Sequence, residues 1–187
     1  MTIDLSKLAR AVLRAELGGP PAPLPSSEDL KRPGATFVSL HWRGGPLQGC
    51  IGSLEPRRSV VSDVASNVVS AALRDPRARP LSLEDVDDLD VEVSVLSSLE
   101  PIAFHDEASA IAALRPGVDG VVLEWQGHRG TFLPVVWREL SAPREFLAEL
   151  KRKAGLSRQF WADDVRLSRY TTTVVDDPAP SRKGSTQ

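Results

Sequence analysis

The sequence predicts an α+β fold with a mostly antiparallel sheet flanked by helices. Three observations predict this class. Helical and strand periodicities follow one another without strict βαβ alternation, two neighbouring strands are joined by a tight turn, and no internal repeat or heptad is present. The length of 187 residues fits one domain, with room for two lobes.

The first half of the chain predicts two helices and one strand. Apolar residues at helical spacing indicate a helix over 3–17, and the glycines and prolines that follow predict a proline-rich surface linker over 18–34. Strict alternation predicts a strand over 35–42. A broad apolar arc predicts a helix over 59–75, with Ser59 as its N-cap.

The middle of the chain predicts shorter elements. An acidic helix or turn is expected over 82–88, and the valines that alternate with polar residues over 89–97 indicate a strand. A helix is expected over about 106–115. Two further strands over 118–125 and 128–135 flank a Gln-Gly pair and predict a hairpin.

The last third predicts a helix over 143–154 and a final strand over 165–175. Residues 176–187 contain almost nothing apolar, which predicts a disordered tail. We therefore expect a single folded domain over 1–175.

Composition and charge exclude several classes. The 23 Lys and Arg residues are balanced by 25 Asp and Glu residues, which argues against a general nucleic-acid binder. No run approaches a membrane span, and the N-terminus lacks the apolar core of a secretory signal, so a cytoplasmic setting is expected. The single cysteine excludes a disulfide framework. No cofactor motif is present, and we predict no intrinsically bound cofactor.

Cys50 is the leading candidate for chemistry. It lies between two glycines, which predicts a bent, open loop. The backbone N–H groups of such a loop can converge on an anion, and the loop would expose the thiol as a nucleophile. The alternative is a small buried cysteine in a strand. The candidate ligand-binding residues around it are Gln48, Gly49, Ile51, Gly52 and Ser53.

Partners for proton transfer are less specific. His41, His128 and Glu92 are candidate acids or bases beside Cys50, although residues of these types at such positions are more often structural or solvent-exposed. The acidic run over 84–92 is typical of a solvated face rather than a cation site, and no histidine spacing indicates a metal site.

Six segments together resemble the AMMECR domain family, also called AmmeMemoRadiSam system protein A, over roughly 5–175. In chain order they are LQGCIGSLEP (47–56), DPRARP (75–80), VEVSVLS (91–97), GVDGVVLE (117–124), GTFLPVV (130–136) and KAGL (153–156). The chain departs from the family pattern at three places: Gln48 replaces an arginine, Ala78 and Arg79 alter the aromatic of the D-P-R-F segment, and Val135 stands where a glutamine is usual.

The resemblance implies a larger and a smaller lobe, with the GCIG segment near a cleft between them. It also implies a pathway shared with a Memo-like protein and a radical SAM enzyme, and it implies no particular reaction. Two hypotheses therefore stand. One is an accessory module that binds an unknown small molecule, and the other is an enzyme that uses Cys50 as a nucleophile or covalent carrier.

Overall fold

The computed structural model describes residues 4–22 and 31–180. Its contacts divide the chain into two compact units: residues up to Leu96 with those from Thr173 onward, and residues between them. Helices and antiparallel strand pairs in both units confirm the α+β class. The cleft between lobes stays a prediction, and residues 23–30 and 181–187 of the predicted linker and tail lie outside the described residues.

Two helices of the first unit begin and end within two residues of the predicted bounds. Helix α1 spans Leu5–Glu16, and the carboxylate of Asp4 caps it by accepting backbone N–H groups of its first turn. Helix α2 spans Val60–Leu73, and Ser59 caps it as predicted. Both predictions succeed because apolar periodicity and a capping residue are local properties of the sequence.

The first unit holds two sheets. Its short sheet pairs β1 (Pro33–Gly34) with β4 (Arg58–Ser59). Its four-stranded sheet contains β2 (Thr36–Trp42), β3 (Leu47–Gly52), β5 (Leu89–Leu96) and β10 (Thr172–Asp177) in the order β10-β5-β2-β3. A 3-10 turn over Glu84–Asp88 precedes β5. Strand β3 is therefore an edge strand, with β2 as its only neighbour in that sheet.

The core of the first unit lies between this sheet and the two helices. Val38 and Leu40 of β2 and Val91 and Val93 of β5 are buried, together with the apolar face of α2. Because side chains alternate along a strand, the residues between them point to the opposite face of the sheet. That opposite face carries Ser39 and His41 of β2 and Asp90 and Glu92 of β5.

The second unit has its own sheet and core. Strands β6 (Glu100–Pro101), β7 (Gly120–Trp125), β8 (His128–Phe132) and β9 (Arg166–Tyr170) lie in the order β6-β9-β7-β8. Helices α3 (Glu107–Ala113) and α4 (Pro143–Lys153) and a 3-10 turn (Pro134–Arg138) complete it. The stacked rings of Phe146 and Trp137, 3.7 Å apart, lie in its core.

The hairpin turn is confirmed, and the final strand is wrong as a single element. Gln126 and Gly127 both have positive φ, +41° and +87°, as a two-residue hairpin turn requires. The predicted strand over 165–175 divides at Thr171 into β9 and β10, which belong to different sheets. The sequence there has no Gly or Pro that marks the break. Strand β10 continues to Asp177, inside the predicted tail.

Candidate functional site

Three polar side chains form a row across the first unit's sheet. Ser39 of β2 lies directly opposite Cys50 of β3 on one side and Glu92 of β5 on the other. The Ser39 hydroxyl donates to the Cys50 sulfur at an Oγ–Sγ distance of 3.2 Å. Cys50 is half-buried, and the row lies on the face opposite the helices. The thiol therefore has a hydroxyl group as its cross-strand neighbour.

A buried carboxylate holds the backbone of Cys50. Asp75 follows the last turn of α2, and its Oδ2 accepts the Cys50 N–H at 2.9 Å. Arg77 donates to the same carboxylate, from Nε to Oδ1 at 2.9 Å and from Nη2 to Oδ2 at 2.7 Å. The Asp75 side chain is 1% exposed, whereas that of Arg77 is 62% exposed. One carboxylate thus connects an edge-strand N–H with a solvent-facing guanidinium.

Asp75 and Arg77 each stabilise the charged form of the other. Hydrogen bonding from Arg77 holds the pKa of Asp75 well below its usual range, and the N–H groups of Cys50 and Arg77 act in the same direction. The hydrogen bonds that Arg77 donates to Asp75 raise the pKa of Arg77, with a smaller electrostatic contribution from Cys50. Arg77 is thus connected to the backbone of Cys50 through one oxygen of Asp75.

The glycines that flank Cys50 serve close packing rather than an unusual backbone conformation. The predicted open loop is wrong: the segment is strand β3, and neither glycine has positive φ. A Cβ on Gly49 would lie 2.0 Å from the carbonyl oxygen of Ala71, and one on Gly52 would lie 2.2 Å from the ring of Phe37. The N–H of Cys50 is bound by Asp75 and is not free to line an anion-binding nest.

Gln48 stands at a β-bulge and is almost fully buried. Leu40 pairs with Gly49 and His41 with Leu47, so Gln48 is the extra residue of β3. Its amide donates to the carbonyl oxygens of Ala72 and Arg79 and accepts the Trp42 indole N–H at 2.9 Å. These contacts give Gln48 a structural role in positioning the 75–80 segment.

The other predicted ligand-binding residues have partners inside the first unit. The Ser53 hydroxyl donates to the buried carboxylate of Asp63 at 2.8 Å. Ile51 packs against the hydrophobic core. Neither side chain is brought to the Cys50 sulfur by a described contact.

A pocket of about 300 Å³ lies on the same sheet face as the Cys50 row. Its lining includes His41 and Glu92, the two candidate proton-transfer residues of this unit. Asp90, Asp176 and Asp177 add carboxylates to its wall. Asp177 is paired with Arg10, and Asp90 accepts the Ala179 N–H at 2.7 Å. The structure thus brings Glu92 and His41 to one pocket, with Glu92 also in the row of Cys50.

His128 lies in the second unit. Its ring stacks on Trp125 at 5.7 Å, and its Nδ1 lies 2.9 Å from the carbonyl oxygen of Ala154. The ring therefore contributes to packing within that unit. Among the described residues, no group of His, Cys, Asp and Glu side chains is arranged to hold a metal ion. No helix in the described part of the chain has the length and apolar character of a membrane span.

Sequence reasoning missed three residues of this site: Ser39, Asp75 and Arg77. Alternation along β2 puts Ser39 on the face opposite Val38, but the register that sets it against Cys50 is tertiary information. Asp75 and Arg77 lie in DPRARP, a segment noted only for the family resemblance. The available signal was an aspartate and an arginine two residues apart, directly after a helix.

Comparisons with known proteins place this chain in a family. The model of the AMMECR1 family matches residues 6–175. A protein of Methanothermobacter thermautotrophicus is 36% identical over 180 residues, covering 92% of each chain. Protein MJ0810 of Methanocaldococcus jannaschii is 33% identical, covering 93% of this chain and 89% of its own.

A solved structure shares the fold. The crystal structure of the uncharacterized protein PH0010 from Pyrococcus horikoshii superposes with a TM-score of 0.86 at 32% identity. The match covers 94% of this chain and 91% of that one.

Proposed function

Because the chain belongs to the AMMECR1 family, we propose that it is a small-molecule-binding accessory component that works beside a Memo-like protein and a radical SAM enzyme. The binding site of this proposal is the face of β3 that carries Cys50. The pathway partners follow from the family resemblance alone. The site follows from the geometry around the thiol.

One observation carries the site: the Cys50 sulfur accepts a hydrogen bond from Ser39 on the polar face of the sheet. A hydroxyl donor stabilises negative charge on the sulfur, because hydrogen bonding to the charged form of a group favours that form. A cysteine kept for packing alone is usually enclosed by apolar side chains. Here the thiol has a hydroxyl donor and a nearby guanidinium instead.

The second candidate function is an enzyme that uses Cys50 as a nucleophile or covalent carrier. The position of Arg77 favours it, because Arg77 and the Cys50 backbone bind the same Asp75 oxygen and a nearby cation stabilises a thiolate. Glu92, in the same row, is the candidate proton acceptor. The Cys50 N–H already donates to Asp75, so side-chain donors such as Arg77 would have to stabilise a developing anion.

The experiment compares the rate of Cys50 alkylation by iodoacetamide in native protein, in unfolded protein and in a Ser39→Ala variant. Since the chain has one cysteine, the reaction reports on Cys50 alone. We expect native protein to react faster than unfolded protein at neutral pH. In Ser39→Ala the rate should fall by about tenfold, since a hydrogen bond to a charged group contributes about 1.5 kcal/mol or more.

Ser94→Ala is the matched control. Ser94 lies opposite Phe37 in the same sheet, and its side chain makes no described hydrogen bond to Cys50. Its alkylation rate should equal that of the wild type. A thiol that reacts only after unfolding would overturn both candidate functions at this site. A folded Cys50→Ser variant that keeps full pathway activity would overturn the enzyme alone.

The pathway part of the proposal has its own test. Tagged protein is isolated from its native host, and co-purifying proteins are identified by mass spectrometry. Recovery of a Memo-like protein and a radical SAM enzyme supports the proposed partners and the predicted cytoplasmic setting. Their absence from the isolated material, with the tagged chain recovered intact, counts against the partners and leaves the Cys50 site to be judged by alkylation.

A further inference from the structure

The guanidinium of Arg77 is oriented by a buried anchor. Two of its N–H groups donate to the Asp75 carboxylate, whose Oδ2 also accepts the N–H of Cys50. A single carboxylate oxygen thus bridges Arg77 Nη2 and the backbone of the cysteine. Because the Asp75 side chain is almost fully buried and has these partners, the guanidinium is held in one orientation rather than sampling many.

This arrangement leaves donors available on the exposed side of Arg77. A guanidinium has five N–H groups, and the described contacts use only those of Nε and one of Nη2. Nη1 has no protein partner among the described residues. A planar fork with free N–H groups matches the paired oxygens of a carboxylate or phosphate, which it binds bidentately.

The surrounding charge favours an anion as well. Residues 74–79 contain three arginines and one aspartate. The Arg79 guanidinium lies 4.2 Å from the centre of the Trp42 ring, so its charge is also held close to this segment. The Asp75–Arg77 pair alone is neutral, and the attraction it offers is directional, through its remaining N–H groups.

We propose that Arg77 is the anion-binding residue of the Cys50 site and that the site takes small molecules that carry a carboxylate or phosphate close to the carbon that meets the sulfur. This inference rests on the proposed function, because it names the ligand class of the same site. Arg77 acts here by contacting the ligand, and Asp75 acts by positioning Arg77. If Arg77 served only to neutralise Asp75, the charge of a reagent at Cys50 would make no difference.

The test compares two reagents that differ in charge, iodoacetate and iodoacetamide. In both reactions the Cys50 thiolate forms a bond to the CH₂ carbon while the carbon–iodine bond breaks and iodide leaves with its electron pair. The two reagents meet the same thiolate, so the ratio of their rate constants cancels the fraction of thiol ionised. Urea-unfolded protein supplies the reference ratio.

We expect native protein to favour iodoacetate at least fivefold over the ratio of unfolded protein. Arg77→Gln should return the ratio to the unfolded value. Arg79→Gln removes the same charge from the same segment without touching Asp75 and should retain most of the preference. Inorganic phosphate and acetate, added separately, should each slow the iodoacetate reaction in a saturable way, and the stronger competitor identifies which oxyanion the site prefers.

The possible failures are distinguishable. If neither reagent modifies native Cys50, the proposed function fails and this inference fails with it. If both reagents react but the native ratio equals the unfolded ratio, or Arg77→Gln leaves it unchanged, the thiol site stands and the anion-binding role of Arg77 is wrong. Should Arg77→Gln fail to fold, Arg77→Lys replaces it, and an unchanged ratio in that variant contradicts bidentate recognition.

Discussion

Each unit of the molecule contains a buried carboxylate held by several N–H groups of one arginine. Asp75 and Asp119 both accept a backbone N–H and two side-chain N–H groups from one nearby arginine, Arg77 and Arg115 respectively. Both carboxylates are almost completely excluded from solvent, and both arginines are at least half exposed. The same local chemistry has thus been built twice.

The third partner distinguishes the two pairs. Asp119 also pairs with Arg169, at an Nη1–Oδ2 distance of 3.3 Å, and Arg169 donates in turn to the carbonyl oxygen of Ala113. Asp75 instead accepts the N–H of Cys50, the only cysteine of the chain. A buried ion pair by itself therefore says little about function. The difference lies in the third partner of each carboxylate. Asp119 binds a second arginine and is structural, whereas Asp75 binds the backbone of Cys50 at the candidate site.

The largest expected effect comes from removing the structural carboxylate. Asp119→Asn leaves the half-exposed Arg115 and the largely buried Arg169 without their counter-charge, and we expect a cost of about 3 kcal/mol, the lower end for a buried pair, because Arg115 stays partly solvated. Urea unfolding measures the loss. The comparison also requires that the native alkylation rate of Cys50 stay at its wild-type value. A folded Asp119→Asn protein with an altered Cys50 rate would break the distinction between the two carboxylates.

A smaller effect is expected from Asp75, and it should depend on pH. The pKa of Asp75 lies below its usual range in the folded protein because Arg77 donates to it. The unfolded chain therefore binds this proton first as pH falls, so the contribution of Asp75 to stability is complete above the ordinary pKa of about 3.9 and is lost progressively below it.

The measurement is the free energy of unfolding of wild type and Asp75→Asn across pH. We expect a difference of about 2 kcal/mol between pH 5 and 7, since hydrogen bonds to a charged group are lost. Below about pH 4 the two curves should converge. A difference that widens in acid would mean that the folded state does not favour the Asp75 carboxylate.

Much of the fold was predictable because its causes are local. The apolar stripe of α1, the Ser59 cap of α2 and the Gln126-Gly127 turn are each specified within a few residues of sequence. Strand β2 shows a regular alternation that identifies its buried face. Such elements carry their own periodicity or cap, and no distant contact is needed to infer them.

The candidate site was less predictable because its geometry depends on contacts between distant segments. Nothing in the local sequence shows that Gly49 packs on the carbonyl oxygen of Ala71, which brings the end of α2 against β3. That packing sets Asp75 beside Cys50, 25 positions away in the chain. The division of the last strand at Thr171 is equally invisible, because each half simply pairs with a different sheet.

The smallest expected effect concerns Tyr170 of the second unit and tests whether its hydroxyl is excluded from solvent. Tyr170 is the only tyrosine of the chain, and its ring lies where a Cβ on Gly120 would be 2.3 Å away. Its hydroxyl lies 2.9 Å from the Thr131 hydroxyl and donates to the carbonyl oxygen of Phe132. Burial raises the pKa of Tyr170 to about 12.

Alkaline titration followed by tyrosinate absorbance should therefore show ionisation near pH 12 rather than near the ordinary value of 10.0. The unfolded chain releases this proton first, so the tyrosine makes the folded state progressively less stable as pH rises above about 10. A Tyr170→Phe variant supplies the baseline, because it has no phenol to titrate. Ionisation near pH 10 in protein that is still folded would show that solvent reaches this hydroxyl. The contrast between a buried hydroxyl in the second unit and a half-buried thiol in the first would then be wrong.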